Sequence, residues 1–236
     1  MERVEAEELL DLDRWSPEEV ACALCAIRRV NLLYGGNSMH KRLFQGVADR
    51  MPGRDMDILE VAAGHADVLQ AAAHMLLRQG FALHFSLLDR CPMHLPGKDA
   101  WDPTLPQPRL LTGDALHIPL PDRSVDVISC CLFLHHLSPE HAQAFLMEAL
   151  RVARVAVLVN DVERRRSNYW LSHLQTLVDP SRISRHDGPA SVRQSYTYAE
   201  MDGLLRQTGC EYKLQRGFLF RLGGTLWKSP AATTSQ

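Results

Sequence analysis

The sequence lacks a long apolar segment and lacks an excess of charge of either sign. No stretch of the 236 residues approaches the roughly 20 apolar residues that cross a bilayer. The formal net charge is -2, so no overall positive field draws the chain onto nucleic-acid phosphates. Residues 1–8 are too acidic to resemble a secretory leader. These absences predict a cytoplasmic protein that uses a small-molecule partner, with no nucleic acid and no membrane span. The oligomeric state stays open, with a monomer and a homodimer as the alternatives.

The cysteines are few and irregularly spaced, which argues against a disulfide framework. Cys22 and Cys25 have the spacing of a metal or redox pair, but they lie in a helical pattern without a second pair nearby. We therefore expect them in a buried helix. No histidines have a defensible metal-ligand spacing, so no metal site is predicted. Phosphate-loop, nucleophile-turn and His-Glu-x-x-His motifs are also missing.

Apolar runs bounded by turn residues alternate with helical patterns along most of the chain. Predicted strands cover 57–61, 81–88, 109–112, 125–129 and 155–159. Predicted helices cover 17–34, 41–50, 67–79, 138–153 and 198–207. Two last strands, 211–220 and 224–228, would form an antiparallel hairpin at the sheet edge. This order predicts a doubly wound α/β fold with a mostly parallel, Rossmann-like sheet of seven strands.

The predicted elements suggest two parts of unequal size. Residues 1–50 would form a helical lid packed on the core, and residues 51–236 would form the main domain. Residues 91–108 are rich in proline and lack a long helical pattern. A polar, arginine-rich insertion near 164–198 should cover one side of the main domain, and 229–236 should be a frayed tail.

Polar residues follow the predicted strands at the points where the strands end. Glu60 ends the first apolar run, Asp89 ends the second, Asp114 follows the third, and Asn160 follows the fifth. Since the carboxyl ends of parallel strands meet at one edge of a sheet, one crevice collects these side chains. Three acidic strand ends in series suggest a single adenosine-containing ligand.

These segments resemble the class I S-adenosylmethionine-dependent methyltransferases, especially the ubiquinone/menaquinone C-methyltransferase-like group. The resemblance runs from about residue 54 to residue 156. Its most specific part is Gly113-Asp114-Ala115 through Ile118-Pro119-Leu120-Pro121-Asp122 to Ile128, followed by Leu134-His135-His136-Leu137.

The resemblance implies S-adenosylmethionine as the cofactor and places its site at the strand ends. Glu60 would hold the amino group of the methionine part, Asp89 the ribose hydroxyls, and Asp114 the adenine edge. The full set of implied cofactor residues is Glu60, Ala62, Gly64, Asp89, Arg90, Asp114, Ala115, Cys130 and Cys131.

The turn after the first strand departs from the family pattern. The family prefers three glycines there, whereas this chain has Ala62, Gly64 and Ala66, with His65 in place of a small residue. Each added Cβ atom hinders positive φ angles and narrows the space for a cofactor. A non-catalytic or repurposed member, acting as a partner or regulator, is therefore an alternative hypothesis.

The resemblance also implies how an acceptor would be methylated. His135 and His136 follow the fourth strand, and an imidazole has a pKa suited to accepting a proton near neutrality. Asn160, Arg182, Arg185 and His186 are the candidate acceptor-binding residues. The predicted reaction is methyl transfer to oxygen or carbon of a small aromatic or polyketide-like metabolite. Nicotinamide-dependent redox chemistry is a further alternative, disfavoured because a full Gly-x-Gly-x-x-Gly turn is absent.

Overall fold

A computed structural model describes residues 1–12, 14–97 and 99–228. Its centre is a seven-stranded sheet with the order β3-β2-β1-β4-β5-β7-β6. The first five strands are parallel, and β7 is antiparallel to both of its neighbours. The strands are β1 (Asp55–Val61), β2 (Ala82–Asp89), β3 (Arg109–Thr112), β4 (Val125–Cys131), β5 (Ala153–Val162), β6 (Glu211–Arg216) and β7 (Arg221–Trp227). The predicted fold class and antiparallel edge are confirmed.

Helices cover both faces of the sheet, as a doubly wound fold requires. They are α1 (Pro17–Leu33), α2 (Gly36–Ala48), α3 (Asp67–Arg78), α4 (Pro139–Val152), α5 (Arg166–Thr176), α6 (Arg182–Gln194) and α7 (Tyr198–Gln207). Short 3-10 turns occupy Leu9–Asp11, Pro92–His94, Leu134–His136 and Phe218–Phe220. Capping boxes begin α1 at Ser16 and α7 at Thr197.

Two apolar clusters fill the spaces between the sheet and the helices. On one face, α2 and α3 contribute Met39, Phe44 and Leu69, all buried. On the other face, α4 and α7 contribute Phe145 and Leu205, also buried. Helix α2 is thus part of the main core, whereas α1 lies over the carboxyl edge of the sheet. The predicted lid, residues 1–50, divides between these two environments.

Helix α2 begins five residues earlier than the sequence pattern predicts. Gly35 has a φ of 81°, and an added Cβ there would lie 3.0 Å from the Phe218 carbonyl oxygen. A glycine in this left-handed conformation lets the chain pass from α1 directly into α2. The same pair of glycines that ends one helix therefore starts the next.

The C-terminal hairpin has different boundaries from the predicted ones. Strand β6 ends at Arg216 and β7 begins at Arg221, because the 3-10 turn Phe218–Phe220 lies between them. Leu219 and Phe220 have φ values of 44° and 66° in this turn. The residues predicted as the end of the first strand form the turn itself. The predicted tail at 229–236 lies outside the described residues.

The insertion near 164–198 is helical, although its sequence is polar. Ser181 caps α6 by accepting a hydrogen bond from the Ser184 amide. Helix α6 runs through Pro189 and buries one face that includes Ile183 and Val192. Packing of that face against α5 and α1 supports the helix where the local sequence favours a break.

The cysteines are all free thiols. Cys22 and Cys25 lie in α1 as predicted, but Cys25 is exposed, so its predicted burial is wrong. Within the described ranges, none of the helices is both long enough and apolar enough to span a membrane.

Candidate active site

A cavity of about 430 Å³ opens at the carboxyl ends of the parallel strands. It lies where the sheet changes winding direction, since β2 and β3 extend from one side of β1 while β4 and β5 extend from the other. Open α/β sheets bind ligands at this position. The strand ends, α1, residues 1–12 and the helices α5 and α6 all contribute to the lining.

The turn after β1 forms the floor of the cavity. Ala62, Gly64 and Ala66 have φ values of 51°, 48° and 53°, so both alanines adopt the left-handed conformation that glycine would favour. Each such alanine costs about 1 kcal/mol. The two alanines therefore adopt the backbone conformation of a glycine-containing turn, and they do so at the cost of strained φ angles. Glu60 lies below the turn, buried, and accepts a hydrogen bond from the Ser129 hydroxyl.

Asp89 connects the end of β2 with this turn. One carboxylate oxygen accepts the Gly64 amide at 3.1 Å, and the other accepts the Cys91 amide at 3.0 Å. Asp114, after β3, accepts the Leu116 amide at 2.9 Å, which lowers the pKa of its carboxyl group. Asp89 and Asp114 both line the cavity, so the structure places two of the predicted carboxylates on one ligand-sized space.

A buried cation lies beside the cavity without a carboxylate partner among its polar contacts. The guanidinium of Arg221, at the start of β7, donates to Asn31 Oδ1 at 2.8 Å and lies 4.0 Å from the Cys131 sulfur. Its Nε has no hydrogen-bond partner in the part of the chain that the structure describes. Burial raises the pKa of the Cys131 thiol, so both contacts are neutral. A buried charge without compensation is costly, which favours an anionic ligand.

Asn31 connects this cation with a carboxylate on the opposite side. Its side chain hydrogen-bonds Asp67, the first residue of α3, as well as Arg221. Burial is the largest influence on Asp67 and raises its pKa to about 6, despite the opposing Asn31 hydrogen bond. Opposite charges thus flank one asparagine at the cavity wall.

The other end of the cavity is closed by residues 1–12, which we call the N-terminal strap. Arg3 donates to the carbonyl oxygens of Leu137 at 2.7 Å and His135 at 3.1 Å. The Asp187 carboxylate, on α6, accepts the amides of Leu9 at 2.7 Å and Leu10 at 3.0 Å. The strap is therefore held by directional hydrogen bonds to both the β4 side and α6.

His135 is buried between two carboxylates. Its Nδ1 lies 2.7 Å from Asp161 Oδ1, and its Nε2 lies 3.4 Å from Glu8 Oε1. Burial alone would lower the pKa of His135, but Asp161 and Glu8 outweigh burial and raise it to about 10. In the metal-free protein these carboxylates favour the protonated imidazole. They therefore disfavour the role of His135 as a base that accepts a proton near neutrality, and that role stays a prediction.

His136 stacks on His135, with ring centroids 4.4 Å apart. Its Nδ1 lies 3.0 Å from Asp11 Oδ2, and its Nε2 lies 3.7 Å from Glu8 Oε2. Both histidines line the cavity, so the sequence placed them correctly beside a ligand space. What the sequence does not indicate is that carboxylates from distant segments surround both rings.

Most of the predicted site residues come together. The cavity is lined by Glu60, Ala62, Gly64, Asp89, Arg90, Asp114, Ala115, Cys131, His135 and His136. Cys130 instead faces the apolar core, and Asn160 is buried, where it donates to the Gly36 carbonyl oxygen at 2.9 Å.

The three predicted acceptor residues of the insertion do not reach the cavity. Arg182, Arg185 and His186 lie on the exposed face of α6. The helical period turns Ile183 and Asp187 inward instead, and these two line the cavity. This orientation does not bring the arginines to the cavity, and their contact with an acceptor stays a prediction.

Four charged residues beside the cavity were not identified from the sequence: Glu8, Asp67, Asp161 and Arg221. Asp67 follows the turn directly and Asp161 follows Asn160, so their positions next to strand ends were a usable signal. Glu8 and Arg221 carry no such local signal. Glu8 reaches the site through the strap, and Arg221 reaches it through the register of β7 with β5.

Comparison with known proteins gives one family match and many similar folds. Residues 59–157, from β1 into β5, match the family model described as methyltransferase domain. A search of curated protein sequences finds no match. The matched segment carries the turn after β1 and the residues Asp89 and Asp114. This segment, less than half of the 236 residues, is therefore similar to the methyltransferase domain family.

Three solved structures illustrate the likeness in fold. A SAM-dependent methyltransferase from Aquifex aeolicus is 18% identical, with a TM-score of 0.61, and the alignment covers 92% of this chain and 100% of that one. The plantazolicin methyltransferase BpumL, solved with a desmethyl plantazolicin analogue and SAH, is 12% identical, with a TM-score of 0.67 and coverage of 90% and 96%.

The third is magnesium protoporphyrin IX methyltransferase from Synechocystis PCC 6803, solved with SAH. It is 13% identical, with a TM-score of 0.56 and coverage of 83% and 84%. At these identities the likeness establishes a shared fold and nothing further.

Proposed function

We propose that this chain is an S-adenosylmethionine-dependent methyltransferase that acts on a small molecule. The observation that carries the proposal is one cavity that joins Asp89, Asp114 and the Arg221–Asn31–Asp67 group within and beside the matched domain. Two of the similar structures were solved with SAH. The finer assignment to a ubiquinone/menaquinone C-methyltransferase-like group, and a cytoplasmic location, stay predictions.

The adenosyl part of the cofactor would lie along the ends of β2 and β3. Each oxygen of Asp89 accepts one backbone amide, and a carboxylate oxygen has two lone pairs. Oδ2 therefore keeps a free acceptor position for one ribose hydroxyl, whereas Oδ1 also lies 3.4 Å from His94 Nδ1, so a second hydroxyl would share Oδ1 with His94 or displace it. Asp114 and Ala115, beyond β3, would contact the adenine edge.

The methionine part of the cofactor is a zwitterion, and the cavity offers a complementary pair of charges. Arg221 would bind its carboxylate. The buried Nε of Arg221, which has no hydrogen-bond partner in the described residues, supports this assignment. Asp67, with Glu60 below it, would bind the ammonium group. Asn31 contacts both Arg221 and Asp67, and no ion pair joins these two charges in the described residues, so both would be available for the ligand. This arrangement fits the cofactor from residues of this chain alone.

The bound cofactor would supply an electrophilic methyl group on a sulfonium, which an acceptor takes by in-line displacement. The protein contributes position and exclusion of water. The strap, α5 and α6 cover the acceptor end, where the apolar side chains Leu10, Leu171 and Val192 lie among polar ones such as Asn168, Gln175 and Ser191. The apolar side chains of this mixed wall support a small aromatic or polyketide-like acceptor that is methylated at oxygen or carbon, and the polar ones would contact its oxygen atoms.

A second candidate function is binding without catalysis. The alanines at positions 62 and 66 favour it, because their Cβ atoms narrow the cofactor space at a turn where the resembling family prefers glycine. The two functions are separated by incubating the protein with methyl-labelled S-adenosylmethionine and a panel of phenols and β-keto acids. Acceptor-dependent release of S-adenosylhomocysteine supports the enzyme. Binding of S-adenosylmethionine with no turnover on any acceptor class supports the alternative, and binding of neither compound removes both.

A further inference from the structure

Three potential metal ligands converge at the acceptor end of the cavity: Glu8, His135 and His136. One ligand atom from each lies within 4.8 Å of the other two. The Nε2 atoms of His135 and His136 lie 3.4 Å and 3.7 Å from the two oxygens of Glu8. Groups that bind one ion have such mutual distances before the ion draws them together. We propose that these three residues form a binding site for a divalent transition-metal ion.

The orientation of the imidazoles supports this site. Each ring uses Nδ1 to contact a carboxylate, His135 with Asp161 at 2.7 Å and His136 with Asp11 at 3.0 Å. Both Nε2 atoms are thereby turned toward Glu8, and an ion that binds there would displace the Nε2 proton of His135 to solvent while Nδ1–H stays with Asp161. A histidine that binds a metal almost always donates its other ring N–H to a carboxylate, a carbonyl or water, and this hydrogen bond fixes the ring.

Hydrogen bonds also fix the orientation of the Glu8 side chain. Its Oε1 accepts the Ser191 hydroxyl at 2.6 Å and also accepts the Gln194 side-chain amide. Its Oε2 points to the side of His136. The carboxylate is buried, so its position does not depend on solvent. The strap, the turn after β4 and α6 thus together place one carboxylate group beside two imidazole nitrogens.

The ligand set selects the class of ion. Two imidazoles and one carboxylate suit Fe²⁺, Co²⁺ or Zn²⁺, whereas Mg²⁺ and Ca²⁺ prefer oxygen ligands throughout. The carboxylates of Asp161 and Asp11 add negative charge around the histidines. Three protein ligands leave coordination positions open, and all three residues line the cavity.

The open positions give the ion a role in the proposed function, and this role rests on that function. An acceptor with two neighbouring oxygen atoms, such as a catechol or an enolised 2-oxo acid, would chelate the ion through both. Coordination would release the acceptor hydroxyl proton to solvent and leave an oxyanion, while the ion keeps its oxidation state. The site would thus supply the activation that a free base provides in other enzymes.

The test titrates the full-length, chelator-treated protein with Co²⁺ and follows visible d–d absorption. We expect one Co²⁺ per chain in the wild type and loss of the absorption in Glu8→Gln and His136→Gln. Asp11→Asn, which changes the outer partner of His136 and also the 3.6 Å contact of Asp11 with Arg90, should lower Co²⁺ affinity by about 10- to 100-fold. His84→Gln is the matched control, because His84 lies 3.2 Å from Asp55 on an exposed surface and has no further ligand nearby in the described structure.

Absence of Co²⁺ absorption in the wild type, or wild-type affinity in both Glu8→Gln and His136→Gln, would overturn the site. Each metal-free protein is also titrated with S-adenosylhomocysteine, which reports folding and tests the proposed function separately. S-adenosylhomocysteine binding without Co²⁺ binding overturns the metal site alone, and Co²⁺ binding without S-adenosylhomocysteine binding overturns the proposed function alone. Turnover that is equal with and without Co²⁺ would overturn the role of the ion in acceptor activation.

Discussion

The two ends of the cavity are built in different ways. At the cofactor end, the carboxylates of Asp89 and Asp114 follow parallel strands, and the hydrogen-bonded register of β1, β2 and β3 fixes their relative positions. At the acceptor end, the wall consists of the N-terminal strap and the helices α5 and α6, held by side-chain contacts such as Arg3 to His135 and Asp187 to Leu9. The comparison indicates that the sheet determines one end, whereas the other end can change its lining without changing the fold.

The largest predicted effect concerns the cofactor end. Asp89→Ala should weaken S-adenosylhomocysteine binding by about 10- to 100-fold, because a charged hydrogen-bond acceptor is lost and the Gly64 amide loses its partner. Isothermal titration calorimetry measures the change. Asp55→Ala is the control, because Asp55 lies at the opposite, amino end of β1 and is exposed. Equal losses in both variants would contradict the assignment.

Asp67 makes the stability of the cofactor-free protein depend on pH. Its pKa is about 6 in the folded protein and 3.8 ordinarily, so folding disfavours the charged form. The folded protein is therefore more stable when Asp67 is protonated than when it is charged. This difference in the free energy of unfolding is fully present below pH 4 and is lost as the pH rises through 6. Asp67→Asn should therefore raise the free energy of unfolding by about 2 kcal/mol at pH 8. Urea denaturation at pH 8 and pH 4 checks this, and the same gain at both values would show that charge is not the cause.

At the acceptor end, Asp187→Ala should loosen the strap and leave the cofactor end intact. Two hydrogen bonds to the Leu9 and Leu10 amides are lost, which shifts the opening equilibrium by about tenfold if their net contribution is 1–2 kcal/mol. Faster proteolysis of the N-terminal segment, at unchanged S-adenosylhomocysteine affinity, is the expected result. Arg185→Ala, on the exposed face of the same helix, should change neither quantity. A loss of cofactor affinity in Asp187→Ala would remove the distinction between the two ends.

The smallest predicted effect tests the strain in the turn. Ala66→Gly should raise the free energy of unfolding by about 0.5 kcal/mol, because relief of the left-handed alanine exceeds the added chain entropy of glycine. Ala71→Gly, inside α3, should lower it by about 1 kcal/mol. Thermal denaturation of both variants compares the two positions. Destabilisation of similar size in both would show that Ala66 is not strained.

The difference between the two ends of the cavity also explains which site residues could be predicted from the sequence. Apolar runs that end in Glu60, Asp89 and Asp114 carry both the strand signal and the ligand signal, and parallel pairing then brings them to one edge. The helices α5 and α6 were missed because polar residues and Gly188-Pro189 hide their buried faces. Their stability comes from tertiary packing, which local propensity does not report.

The histidines show a different limit. Their position after β4 was predicted correctly, but the chemistry assigned to His135 relied on the intrinsic pKa of imidazole. Glu8 and Asp161, which raise that pKa to about 10, belong to distant segments of the chain. Arg221 was missed for a related reason, because only the pairing of β7 with β5 brings it beside Asn31.

The most direct test of the central claim is a calorimetric titration of the wild-type protein with S-adenosylhomocysteine, with NAD⁺ titrated in parallel. We predict saturable binding of one S-adenosylhomocysteine per chain and no binding of NAD⁺. An absence of heat and of any shift in Tm with S-adenosylhomocysteine would contradict the claim that the strand-end carboxylates and Arg221 form an adenosyl-cofactor site.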